Sequence, residues 1–190
     1  SSAASDVYKR QQFYLNSDEY SLEHPSLSAD GQTLYFTSNM PGSIGGSDIY
    51  YCKLEGDKWG SPINIGPEIN TASNEGFPFI ATNGVLYFAS DGHGGFGGLD
   101  LFSSVKYAGK WSKPSNLKQP INSSYDDFSI YFKPDNMGGY FASNRKDNSM
   151  GSDDVFGFRV NKNIVNVSGK LLTEFDTGKV ASGVKVALVN

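Results

Sequence analysis

The chain has 190 residues, 16 Lys and Arg against 20 Asp and Glu, a net charge of -4 and a sequence pI of about 5.1. Its basic residues are scattered, so it carries no electrostatic footprint for nucleic acid or anionic lipid, and Cys52, the single cysteine, excludes an internal disulfide framework. No apolar run approaches the roughly 20 residues that a membrane-crossing helix needs, while 22 Gly, 13 Phe and 11 Tyr suit tight turns alternating with aromatic-rich strands.

In chain order, Ser1 to Gln11 resembles the in-frame translation of a sequencing adapter, and is expected to be a non-native, disordered leader outside the fold. Residues 12–22 contain Leu15-Asn16-Ser17, which is similar to Ile69-Asn70 and Ile121-Asn122 further on, and read as the tail of a preceding blade. A first unit, 23–74, opens with a strand over Pro25–Ser28 and a turn at Asp30-Gly31. A second strand follows over Leu34–Ser38, then a Gly-rich loop, a third strand over Asp48–Leu54, and an outer strand carrying Trp59. Asp-Gly between alternating apolar runs predicts a type I′ hairpin, whose central residues both take positive φ.

The second unit, 75–125, repeats this with Asn83-Gly84 at the hairpin and Trp111-Ser112-Lys113-Pro114 in place of Trp59-Gly60-Ser61-Pro62. The third, 126–160, keeps three strands, replaces the hairpin by Pro134 to Gly139 and lacks the Trp-x-x-Pro run. Tyr35, Tyr87 and Tyr140 recur at offsets of 52 and 53, as do Asp48, Asp100 and Asp154 at 52 and 54. A fixed period near 50 marks an array of supersecondary units. Alternation with period two and no 3.6-residue period make the units all-β. The expected fold is therefore a partial β-propeller of about three four-stranded blades. From residue 161 the pattern changes to two alternating runs around Asp176-Thr177-Gly178, read as the first strands of a truncated β-sandwich over 161–190.

At Ser28-Ala29-Asp30-Gly31, Leu34 to Asn39 and Gly46 to Tyr50, the chain resembles the WD-like propeller repeats of TolB-type and OmpA-associated proteins. The stretch from Val167 to Val184 resembles the opening of a carboxypeptidase-regulatory-like domain. The resemblance implies an exported, periplasmic, outer-membrane-associated scaffold, in a family that includes a type IX secretion lipoprotein. It implies other cell-envelope proteins as partners. Peptidoglycan would be reached only through a domain outside this sequence, with no nucleic acid partner and no membrane insertion of this segment.

Gly92 to Gly97 formally spells G-x-G-x-x-G, but a strand rather than a helix follows at Asp100, so an inter-strand turn is expected instead of a dinucleotide site. The same run is similar to a calcium-binding glycine repeat, yet Asp100 falls one place late and no second copy stacks on it. Ser28 to Thr33 is compared with a sialidase Asp-box, but its Asp and Gly are adjacent and a hairpin fits better. Asp48, Asp100 and Asp154 are expected to lock their own blades by hydrogen bonds, with Glu23, Glu75 and Asp126 as weaker candidates of the same kind. Trp59 and Trp111 are expected between blades, with sugar stacking as the alternative. His24 and His93 stand at non-equivalent positions, and no Gly-x-Ser-x-Gly elbow occurs. No catalytic residue, cofactor or metal is expected. The function read from these residues is a non-enzymatic protein-interaction scaffold. The alternative is a propeller accessory to a hydrolase, or a glycan-binding module.

Overall fold

A computed structural model describes residues 12–146 and 150–160. The leader at 1–11 and the sandwich expected at 161–190 lie outside the described residues. Among those residues there is no helix, and fourteen strands fall into four antiparallel sheets, three of them successive blades and the fourth a two-stranded hairpin.

Blade 1 contains β1 (Leu22–Leu27), β2 (Thr33–Ser38), β3 (Asp48–Glu55), β4 (Lys58–Trp59) and β5 (Ile63–Asn64). Its order is β1-β2-β3, with β5 and β4 pairing with successive parts of β3. Blade 2 contains β6 (Glu75–Ile80), β7 (Leu86–Ser90), β8 (Asp100–Ser104), the short hairpin β9 (Lys106–Tyr107) and β10 (Lys110–Trp111), and β11 (Ser115–Asn116). It has the order β6-β7-β8-β11. Blade 3 contains β12 (Asp127–Phe132), β13 (Gly138–Ser143) and β14 (Asp154–Arg159) in that order. The all-β partial propeller is thus what the chain forms.

Register makes the blades superimposable residue by residue. Tyr35 stands opposite Ser26, Tyr87 opposite Phe79 and Tyr140 opposite Tyr131, while Ser38, Ser90 and Ser143 pair with Asp48, Asp100 and Asp154. Leu22, Glu75 and Asp127 sit opposite the same three serines. The structural counterpart of Glu75 is therefore Leu22, not Glu23, and that of blade 3 is Asp127, not Asp126. A one-residue difference in spacer length between units hides this from a fixed offset.

The hairpins also differ from the type I′ expectation. Gly31 has φ 71° and Gly84 has φ 82°, while neither Asp30 nor Asn83 takes positive φ. Gly31 N–H donates to Ser28 O and Gly84 N–H to Ala81 O, so each turn is a type I turn closed by a left-handed glycine. In the first hairpin, Asp30 Oδ1 accepts from Ser28 Oγ and Gln32 N–H, which holds Asp30 on the right-handed side.

Hydrophobic clusters lie between the sheets. Tyr35, Ile49, Ile65 and Ile69 of blade 1 and its outgoing linker meet Leu86, Phe88 and Phe102 of blade 2, with Trp111 packed against them. Ala89 and Leu101 of blade 2 meet Ile130 and Phe141 of blade 3. On the opposite face of blade 1, Phe36, Met40, Tyr50 and Cys52 are covered by Leu15 and Tyr20.

Candidate functional site

Each repeated aspartate begins the third strand of its blade and holds the Gly-rich loop before it. Asp48 accepts from the backbone N–H of Ile44 (2.7 Å) and Gly45 (3.1 Å) and from Asn64 Nδ2 (2.6 Å). Asp100 Oδ2 accepts from Phe96 N–H (2.8 Å) and Gly97 N–H (3.0 Å), and Asp154 from Met150 N–H (3.0 Å) and Gly151 N–H (3.4 Å). The glycine run at 92–97 is accordingly a turn bonded to Asp100. A Cβ on Gly95 would lie 1.9 Å from Asp100 Oδ2, so the loop closes over the carboxylate only because that position is glycine. The three carboxylates sit one per blade and are not brought together.

A second repeated lock is an asparagine that imitates a neighbouring strand. Asn70 Oδ1 accepts from Ile49 N–H (2.9 Å) and its Nδ2 donates to Ile49 O (3.0 Å). Asn122 does the same to Leu101, at 2.8 Å and 2.8 Å. Each therefore satisfies both backbone groups of the buried aliphatic residue next to the repeated aspartate. Glu75 accepts from Thr71 N–H, Thr71 Oγ1 and Ser90 Oγ, and Asp127 from Ser123 N–H and Ser123 Oγ.

Sequence reasoning misses a third device. The pairs Phe36/Tyr50, Phe88/Phe102 and Phe141/Phe156 are stacked across the second and third strands of each blade. Met40 packs in the first of these clusters. His93 lies against both rings of the second pair, with Nε2 donating to Ile69 O (2.6 Å). Arg145 lies over both rings of the third and donates to Ile121 O, Pro120 O and Asp127 Oδ1. Met, His and Arg share no residue-type signal, so only the paired aromatics around them could have exposed the slot.

Trp111 is packed between blades 1 and 2, edge-on to Tyr35 with ring centroids 6.4 Å apart, and the Lys106 ammonium sits over it. Trp59 packs against the cluster on the other face of blade 1. Burial pushes the Tyr35 and Tyr87 hydroxyls above their ordinary pKa; Tyr140 is 47% exposed.

The first strands β1, β6 and β12 lie side by side, where blades of a propeller meet their central channel. Each is bulged at the same place, and the bulge puts His24, Phe77 and Ser129 at φ 53°, 52° and 54°. Three non-glycine residues in the left-handed region at one repeat position form a shared constraint, which re-aims side chains. His24 stacks on Phe77 at 3.7 Å, and Nδ1 accepts from Phe77 N–H at 3.4 Å. Burial holds the His24 imidazole below its usual pKa of 6.5, partly opposed by Glu23. Beside this stack opens a cavity of about 230 Å³, lined by Pro25, Pro78, Phe79 and Ile130 among others.

Among the described residues no group of three or more His, Cys, Asp and Glu is placed to hold a metal ion. Burial pushes the Cys52 thiol above its ordinary pKa, away from the thiolate that nucleophilic chemistry needs. What the arrangement offers is a row of rigid, shape-bearing strands.

No protein-family profile matches the chain, and no curated protein does. Among solved structures it is similar to TolB from Acinetobacter baumannii, at 19% identity and a TM-score of 0.51, over 76% of this chain and 31% of TolB. It also matches the periplasmic gluconolactonase PpgL of Pseudomonas aeruginosa, at 14% identity and a TM-score of 0.43, over 72% of this chain and 39% of that protein. The chain thus spans about a third of the length of TolB. The TolB likeness agrees with the fold read from the sheets, that of consecutive β-propeller blades.

Proposed function

We propose that this chain is a non-enzymatic protein-interaction segment of an exported cell-envelope protein of the OmpA-associated type, working in the periplasm at the outer membrane. Its partners are other envelope proteins, and a role within type IX secretion belongs to the same reading. The observation that carries the interaction part is the use made of the repeated polar side chains. Asp48, Asp100, Glu75, Asp127, Asn70 and Asn122 are all buried and turned onto their own blade or the next linker. Groups committed to fixed structural hydrogen bonds build a rigid surface. A catalytic acid or base must instead face a substrate.

Reading the gene outward from both ends tests the envelope assignment. A lipoprotein signal upstream and an OmpA-like domain downstream are expected. A hydrolase domain on either side would overturn the reading and make these blades an accessory to catalysis. For the binding surface, the probe is retention of periplasmic proteins on the immobilised chain. Ser129→Trp, which fills the cavity beside His24, should reduce retention without lowering the melting temperature.

A further inference from the structure

We propose that Phe96, Lys118 and Tyr125, at one end of the seam between blades 2 and 3, dock a partner protein through a segment that alternates acidic with apolar side chains. The site rests on the protein-interaction reading above. Repetition gives each of these positions an internal reference. Phe96 N–H donates to Asp100 as Ile44 N–H donates to Asp48. Lys118 N–H donates to Asn116 Oδ1 and Lys118 O accepts from Asn122 N–H, as Gly66 does with Asn64 and Asn70. Tyr125 N–H donates to Ser123 Oγ as Ser73 N–H donates to Thr71 Oγ1. On the same backbone, the first seam carries Ile, Gly and Ser where the second carries Phe, Lys and Tyr. What the two seams share builds the blades, so what they do not share is free to serve something else.

The three differences fall in one place. The Lys118 ammonium lies over the Phe96 ring, 5.9 Å from its centroid. Gly97, next to Phe96, packs so tightly on the Tyr125 carbonyl that a Cβ would not fit. Phe96 is 46% exposed and Tyr125 37%, Lys118 is exposed, and the sheets of both blades with the linker between them belong to the described residues. Lys118 stands at φ 63°, in the left-handed region where the first seam uses Gly66 at φ 104°. A side chain there is strained, and the strain gives the fold nothing that glycine does not already give in blade 1.

Gly94, Gly95 and Phe96 are all exposed, so the loop projects. Small ligands are held in concave sites, whereas a projecting aromatic on a fixed backbone suits a protein surface. Beneath the loop, Asp100 is 1% exposed and bonded to the Phe96 and Gly97 N–H groups, while Asp126 is bonded to Leu99 N–H and Asn144 Nδ2. Both carboxylates are turned onto the fold, and among the described residues the Lys118 ammonium forms no ion pair. An ammonium on an aromatic ring with no carboxylate of its own matches an acidic group flanked by apolar surface.

The probes are three fluorescein-labelled peptides of one length in which Leu and Phe alternate with Glu, with Gln or with Lys, titrated with the full chain and followed by anisotropy. The Glu peptide should bind most tightly and the Lys peptide least. Phe96→Ala should weaken the Glu and Gln peptides alike, by about tenfold. Lys118→Gln should weaken only the Glu peptide, by about fivefold, and added salt should erase the difference between the Glu and Gln peptides. Ile44→Ala, at the matching position of the first seam, should change neither. These side chains are exposed, so the melting temperature should hold in all three variants. Lys118→Gly should raise it while weakening the Glu peptide, because glycine relieves the left-handed strain.

No binding by any peptide, equal binding of the Glu and Lys peptides, or a Glu peptide indifferent to both Phe96→Ala and Lys118→Gln would overturn the proposal. A lower melting temperature in Lys118→Gly would make the lysine a structural residue and do the same. Binding of polygalacturonate in place of the Glu peptide would make the occupant an acidic glycan, against the protein assigned here. Periplasmic proteins retained equally by the parent chain and by both variants would refute this site while keeping the interaction reading. A parent chain that retains none would remove that reading, and this site with it.

Discussion

At Arg145 a guanidinium lies over the rings of Phe141 and Phe156 and bonds Asp127, which is fully buried. Removing the guanidinium leaves a buried carboxylate with only Ser123 as partner. Arg145→Ala should therefore cost about 3–5 kcal/mol in denaturant unfolding. His24 behaves differently because burial favours its neutral form. Its folded pKa is depressed, so the unfolded chain binds the extra proton first as pH falls below the ordinary value of 6.5. Stability should fall from there down to the folded pKa, and below that this residue adds no further slope. In His24→Gln the melting temperature should lose that part of its dependence on pH, and an unchanged profile would remove His24 as its source.

Between a hairpin and a blade, the informative residues are those that touch the next unit. Trp111 fills the seam beside Tyr35, so Trp111→Ala should cost about 3 kcal/mol by lost burial and the void left behind. A melting temperature within error of the parent would contradict this. Strand order, hairpin positions and the seam tryptophan were legible in the sequence because apolar alternation, Asp-Gly or Asn-Gly punctuation and a period near 50 all act locally. The turn type was not, because Asp30 is held right-handed by hydrogen bonds from Ser28 and Gln32 that composition does not show. Glu23 was misaligned for a related reason: repeat spacers vary by a residue, and only the pairing of Leu22 with Ser38 reveals the true counterpart. The bulges at His24, Phe77 and Ser129 left no common residue type to read. The asparagine clasp was half legible, since Ile-Asn recurs visibly while its target, the strand 21 residues earlier, does not.

Across the whole array, stability is expected to approximate a sum of blade terms and seam terms, because each blade meets only its neighbours. The seams are built alike, down to Asn70 on Ile49 and Asn122 on Leu101. Likewise Glu75 N–H donates to Ser47 O and Asp127 N–H to Leu99 O. This likeness has a genetic consequence. Unequal crossing-over between two copies of the repeat would excise residues 75–126 and join Asn74 directly to Asp127, opposite whose backbone the Ser47 carbonyl would then stand. Thr71 would meet an aspartate where it now meets Glu75, and Ser123 already shows that a hydroxyl residue accommodates one. A chain carrying that deletion should still give a β-sheet circular dichroism spectrum, with a smaller unfolding enthalpy in proportion to the lost blade; an unfolded product would contradict this. Gene lengthening and shortening by whole units then keeps the backbone joints of a seam while its side chains must be refitted, since this deletion also takes Trp111 from beside Tyr35.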